Sequence, residues 1–263
     1  MKVLHIWNTA GVASIVAKFL DRDFRAQSVV LGRRKFDQTG MTTYGRAVDD
    51  GATAFSARCL LAARRCDIVH VYAWDRVVPW LKRLYPSKPV VMYYVGTDIL
   101  GRWEEKRPRW SKADLVAYST PNLAAGAPER ALHIPAPIDT DLFYPRDVER
   151  KPGTALSRHY GMDPEAEAVA KARSLRLQWI DHWGVPHTEL PELFSSVEYY
   201  IDLRRPEGHS APVTSVGKAS LEALACGCKV ITANGETLDT LPPENRPETV
   251  AGRWHELYLS LLK

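Results

Sequence analysis

The stretch PVTSVGKASLEALACGCKVIT, residues 212–232, decides the fold. Its centre reads as a helix over residues 216–225, whose small side chains (Ala219, Ser220, Ala223, Ala225) allow close packing on a sheet. Thr214 or Ser215 is a natural N-cap, and Gly227 is a natural helix stop, because glycine adopts the left-handed backbone that ends a helix. A β-branched run follows at 229–233, and another apolar run precedes at 199–203. Strand, helix and strand in this order make a βαβ unit with parallel strands.

The same alternation runs outward through the chain. Apolar runs at 2–7, 28–31, 67–72, 89–95, 115–119 and 132–138 predict strands in the first half, and runs at 154–158 and 175–180 predict two more in the second. Most are apolar on both faces, as strands of a parallel sheet covered on both sides are. Helix spacing appears at 13–20, at 76–84 and at 248–262, where Val250, Trp254, Leu257, Tyr258 and Leu261 share one face. Residues 141–153 hold two prolines and many charges and read as a linker. The expectation is an α/β chain of two Rossmann-like domains facing each other across a cleft, 1–145 and 146–263. In such folds, ligands bind at the carboxyl ends of the strands.

Composition narrows the class. The chain has 263 residues, 45% hydrophobic and 25% charged, which is ordinary globular usage and excludes a disordered, collagenous or coiled-coil chain. No window of 18 uncharged apolar residues occurs, so no spanning helix is expected. The short apolar run at the N-terminus reads as a strand rather than a signal peptide. Four scattered cysteines make no disulfide framework and fit a reducing, cytoplasmic compartment. Residues 1–150 carry 23 Lys and Arg against 16 Asp and Glu, a net of +7; residues 151–263 carry 12 against 15, a net of −3. The split suggests two units with different partners, the basic one suited to an anionic surface or a phosphorylated ligand. It is too weakly clustered to favour nucleic acid.

The helix at 216–225 also carries chemistry. Its start presents unpaired backbone N–H groups, hydroxyls, Gly217 and Lys218, which together form an anion site. Lys218 and Glu222 lie four apart on one face, so a bound phosphate and ribose would meet a cation first and a carboxylate second. A carboxylate accepts two hydrogen bonds from a ribose diol. A capped surface helix with a Lys–Glu pair accounts for the same residues.

Residues 198–233 resemble the nucleotide-sugar-binding region of GT-B-fold retaining glycosyltransferases, the large family 4 group. The likeness rests on Leu221-Glu222-Ala223-Leu224-Ala225-Cys226-Gly227, followed by Val230-Ile231. Three further stretches are similar to that family: Asp67 to Tyr72 with His70; Gly96-Thr97-Asp98 after Val95; and Ala113 to Pro121 together with Ile134 to Phe143. The resemblance implies transfer of a sugar from a UDP- or GDP-linked donor to a hydroxyl acceptor, with retention and without a metal or other cofactor. It implies Glu222 on the ribose, and Ser215, Val216, Gly217 and Lys218 on phosphate, partly through main chain. Lys218 and Arg158 would stabilise the leaving diphosphate electrostatically.

The chain departs from the family at three places. Thr214 stands where an acidic residue is usual, with Glu207 displaced by seven positions; Val95 replaces a His; and no Lys follows Arg158 until Lys171. A non-catalytic binding or partner subunit with the same fold is therefore a rival. A Rossmann oxidoreductase is disfavoured, because no Gly-x-Gly-x-x-Gly follows a predicted strand.

Other expectations concern single residues. Gly11 follows the first strand and would let the backbone approach a ligand, or form a plain turn. Asp98 would orient acceptor or sugar, or cap the next helix. His5 and His70 read as core residues with satisfied ring nitrogens; His187, in His187-Thr188-Glu189-Leu190-Pro191, resembles a family loop near the nucleotide base but reads rather as part of a surface turn. Cys226 and Cys228 lack a second pair at zinc spacing and read as packed thiols. Trp74, Trp80, Trp103 and Trp110 alternate with Arg76, Lys82, Arg83, Arg102, Lys106, Arg107 and Arg109. That pattern fits either a peripheral contact with anionic membrane or a solvated basic face.

Overall fold

A computed structural model describes residues 1–158, 165–181, 184–204, 213 and 215–263. Thr214 and Glu207 lie outside the described residues. The chain divides into two compact units, Met1–Pro137 with Pro247–Lys263, and Ile138–Arg246.

Unit 1 begins with β1 (Lys2–Ile6), α1 (Val12–Phe24), β2 (Gln27–Arg33), β3 (Arg46–Val48) and α2 (Ala52–Ala63). It continues with β4 (Ile68–Tyr72), α3 (Val78–Leu84), β5 (Val90–Tyr94), α4 (Trp103–Trp110), β6 (Leu115–Tyr118) and β7 (Leu132–His133). All strand pairs are parallel, in the order β3-β2-β1-β4-β5-β6-β7. Every residue of β4 and β5 is buried, as two-sided apolar sequences require. The run at 132–138 pairs only through its first two residues. Pro135 and Pro137 have no N–H to offer the ladder beyond them.

Unit 2 holds β8 (Lys151–Arg158), α5 (Ala166–Ala172), β9 (Arg176–Ile180), α6 (Leu190–Ser195), β10 (Val197–Asp202), α7 (Lys218–Ala225), β11 (Lys229–Thr232) and β12 (Thr237–Leu238). Its sheet runs β12-β11-β10-β8-β9, parallel except for the β11–β12 pair. The linker expected at 141–153 is partly structural, since Lys151, Pro152 and Gly153 open β8.

The last helix, α8 (Pro247–Leu261), corrects the expected division at 146. Val250, Ala251, Trp254 and Tyr258 are buried in the unit 1 core with Val12, Val16 and Phe19 of α1. Tyr258 Oη lies 2.6 Å from His70 Nδ1 in β4, and Arg22 of α1 pairs with Glu248 at 3.1 Å. Only the apolar face of α8 was legible in sequence; the core that receives it was not.

Candidate functional site

Unit 2 reverses its strand order between β8 and β10, because β8 connects through α5 to one side and β10 returns on the other. Open α/β sheets bind ligands at such a switch point, outside the carboxyl ends of the strands. Arg158 ends β8 and Asp202 ends β10. The helix that follows β10 is α7, and it starts with Lys218.

Ser215 does not cap α7, and Thr214 lies outside the described residues. The N-cap is Gly217, and its N–H donates to Asp202 Oδ2 at 2.9 Å. Arg204 binds the other Asp202 oxygen at 2.6 Å and also donates to the Ser215 carbonyl. A carboxylate buried at the positive end of the helix does the work that a hydroxyl cap was expected to do. The Gly217 N–H is therefore engaged and does not face an open anion site. A Cβ at Gly217 would stand 2.8 Å from Arg204 Cζ, so a side chain there would have to push the Arg204 guanidinium aside. Asp202→Ala is expected to lower unit 2 stability by about 2 kcal/mol, read by chemical denaturation; it removes a cap and leaves Arg204 unpaired. An unchanged midpoint would contradict this assignment. The other end behaves as expected, with Gly227 left-handed at φ +77°.

One turn into α7, Glu222 is 2% exposed. Lys218 donates to Glu222 Oε1, and His187 Nε2 lies 3.7 Å from the same oxygen. Burial alone would raise the Glu222 carboxyl, but Lys218, then His187 and Arg158, outweigh it and hold it below the usual value. His187 stands in a turn, with the Glu189 N–H donating to the Pro186 carbonyl at 3.0 Å, but its side chain is buried rather than on the surface, edge-on to Phe143 at 5.1 Å. Burial drives its imidazole down to about 4, so the ring is neutral at pH 7. Its Nδ1 and the Arg158 Nε are buried polar atoms without a hydrogen-bond partner among the described residues. The structure thus gathers Arg158, Lys218 and Glu222, and adds His187 and Phe143. Phe143 belongs to the quoted 134–143 stretch, but its place beneath Lys218, 5.9 Å from ring centre to Nζ, has no sequence signal.

The unit 1 candidates play local roles. Gly11 is left-handed at φ +74°, and a Cβ there would meet the Met41 carbonyl at 3.0 Å. Gly11 is the N-cap of α1, and Met41 stands beside its Cα. Asn8 fixes the turn from β1 into α1, bonding Ser14 at 2.9 Å and Thr42 at 3.0 Å. Asp98 does not cap α4, whose N-cap is Arg102. Its carboxylate accepts the Gly96 N–H at 2.5 Å and the Val95 N–H at 3.2 Å, shaping the turn after β5. Burial raises the Asp98 carboxyl.

Sequence gave no sign of the strain at the unit 1 switch point. Trp7 follows β1 with φ +72° and Ala73 follows β4 with φ +57°, both left-handed without being glycine. Trp7 and its neighbours form an aromatic platform, with Trp7 stacked on Trp74 at 5.3 Å and tilted against Phe36 at 4.9 Å.

His5 and His70 are core residues as expected, with their Nδ1 atoms on Tyr72 and Tyr258 at 2.9 and 2.6 Å. Their Nε2 atoms are buried without partners among the described residues, so the rings are only half satisfied. Cys226 and Cys228 are buried free thiols. Trp103 and Trp110 are core residues, their indoles donating to the Leu123 and Trp103 carbonyls at 2.8 and 2.7 Å, and Trp74 is half-buried. Of the four tryptophans in that Trp–Arg/Lys pattern, Trp80 alone is exposed.

No protein-family model and no curated protein matches this chain. Among solved structures, it is similar to sucrose-phosphate synthase from Thermosynechococcus elongatus, at 14% identity and a TM-score of 0.53, over 99% of this chain and 90% of that one. It is also similar to UDP-GlcNAc 2-epimerase from Neisseria meningitidis bound to UDP-GlcNAc, at 12% identity and a TM-score of 0.48, over 100% and 94%. The calicheamicin glycosyltransferase gives 11% identity and a TM-score of 0.44, over 100% and 92%. The first likeness and the two sheets, parallel but for the β11–β12 pair, show an α/β chain of two Rossmann-like units, the GT-B type of fold.

Proposed function

We propose that unit 2 binds the nucleoside diphosphate of a UDP- or GDP-linked sugar, and that the chain transfers the sugar to a hydroxyl acceptor with retention and without a metal. The observation that supports this most is Glu222: a carboxylate buried on α7, kept ionised chiefly by Lys218, with Arg158. An ionised buried carboxylate is costly unless its acceptor sites are used. Lys218 uses one oxygen, and a ribose diol would use the remaining capacity.

Breaking the anomeric bond places negative charge on the diphosphate. Arg158 and Lys218 supply fixed positive charge to meet it. Phosphate would use Lys218 and the main chain around Ser215 and Val216, with Gly217 holding the turn. The neutral His187, with its unpartnered Nδ1, offers one further hydrogen bond to the ligand. On unit 1, Asp98 acts as a positioning residue through the Gly96-Thr97 turn.

Glu222→Ala is expected to weaken UDP or GDP binding about 10–100-fold, the value of hydrogen bonds to a charged group. Calorimetric titration reads the change, and a melting curve shows whether the variant folds. A folded variant with unchanged affinity would remove Glu222 from the site. Val95, standing where the resembled family has His, favours a second reading as a binding subunit without turnover. Nucleotide-sugar hydrolysis or transfer to any acceptor decides between the two.

A further inference from the structure

We propose that the outward face of α2 and α3 docks on an anionic lipid bilayer. Three large apolar side chains stand in solvent there: Leu61 at 72% exposure, Trp80 at 57% and Leu84 at 53%. Trp80 and Leu84 are four apart on α3, hence on one face. Tyr85 Oη donates to the Leu60 carbonyl at 2.9 Å, which fixes the end of α3 beside the end of α2. Exposed Ala54 and Ala57 extend the stripe along α2 from Leu61.

The two segments that form this stripe carry charge of one sign, with Asp50, Asp67 and Asp114 at their edges. Residues 52–66 and 76–88 contain no Asp or Glu and carry Arg58, Arg64, Arg65, Arg76, Lys82, Arg83 and Lys88. Arg58 and Lys82 reach out of these segments to Asp50 and Asp114. Arg64, Arg65, Arg76 and Arg83 are exposed and form no ion pair among the described residues. Exposed Trp and Leu amid arginines with no acidic residue match the boundary of an anionic membrane, where the indole sits at headgroup level and the basic groups meet lipid phosphate. Three apolar side chains are too few for the core of a protein interface, which needs packed anchors in pockets.

Co-sedimentation with vesicles tests this. The intact protein is expected to bind vesicles of phosphatidylcholine with about a third phosphatidylglycerol at least about tenfold more tightly than pure phosphatidylcholine vesicles, and to lose that binding at high salt. Trp80→Ala with Leu84→Ala, and separately Arg64→Gln with Arg65→Gln and Arg83→Gln, should each weaken it about tenfold. All these residues are exposed, so the variants should melt like the parent and keep its nucleotide affinity. No binding, or equal binding to both vesicle types, overturns the proposal. Binding to a soluble polyanion without vesicle binding overturns it too and assigns the face to an acidic partner. The face lies wholly in unit 1, so failure here leaves the nucleotide reading standing, and the reverse holds.

Discussion

Acidification from about pH 7 to about pH 5 is expected to lower the stability of unit 1 by about 4 kcal/mol. The cause is a pair of buried histidines. Burial pushes His5 down to about 3 from 6.5, and burial, then His5 itself, pushes His70 well below the same value. Their rings lie 5.8 Å apart among Tyr72, Tyr93, Trp254 and Tyr258, with no carboxylate bonded to either among the described residues. Both are neutral in the fold and titrate normally once unfolded. Stability is therefore complete above the unfolded value and falls as the pH drops towards the folded one. Each uncompensated proton contributes about 1.4 kcal/mol per pH unit, so about 2 kcal/mol per histidine accumulates by pH 5. In a unit of this size the midpoint should fall by about 10 °C. His70→Gln should halve the pH slope of the melting temperature. A slope of zero, or one unmoved by that substitution, would refute the buried neutral pair.

Trp254→Ala should cost unit 1 about 3–5 kcal/mol, the range for emptying a large aromatic site in a packed core. Trp254 is fully buried and contacts His70, Tyr93 and Tyr258 with ring centres 4.4, 5.2 and 6.0 Å away. Its Nε1 has no partner among the described residues, so Trp254→Phe should cost less than the alanine change. The effect belongs to unit 1 although the residue lies near the end of the chain. Hydrogen exchange should quicken in β4 and β5 and stay unchanged in β10 and β11. Faster exchange in β10 and β11 instead would return α8 to the second unit.

The parallel strands were legible because both their faces are apolar, as Ile68 to Tyr72 and Val90 to Tyr94 illustrate. Helices α2 and α4, with the short α5 and α6, were not. The outward face of α2 carries Ala54, Ala57 and Leu61, so polarity does not alternate with helical period. In α4, Pro108 and five charged residues hide the pair Trp103 and Trp110 that it buries. Strand β3 is three residues at the sheet edge, too short for a pattern. At the site, spacing alone placed Lys218 and Glu222 together. The Asp202 cap and the burial of His187 come from chain segments brought together in space; Glu189 and Pro191 after the histidine pointed to the turn but not to its burial.

Amide exchange with and without saturating UDP or GDP puts the nucleotide assignment to its most direct test. Binding in unit 2 should slow exchange at least about tenfold in residues 184–189 and 215–226, leaving β4 and β5 unchanged. Protection confined to unit 1, or no protection around Glu222 at saturation, would contradict a nucleotide site on α7.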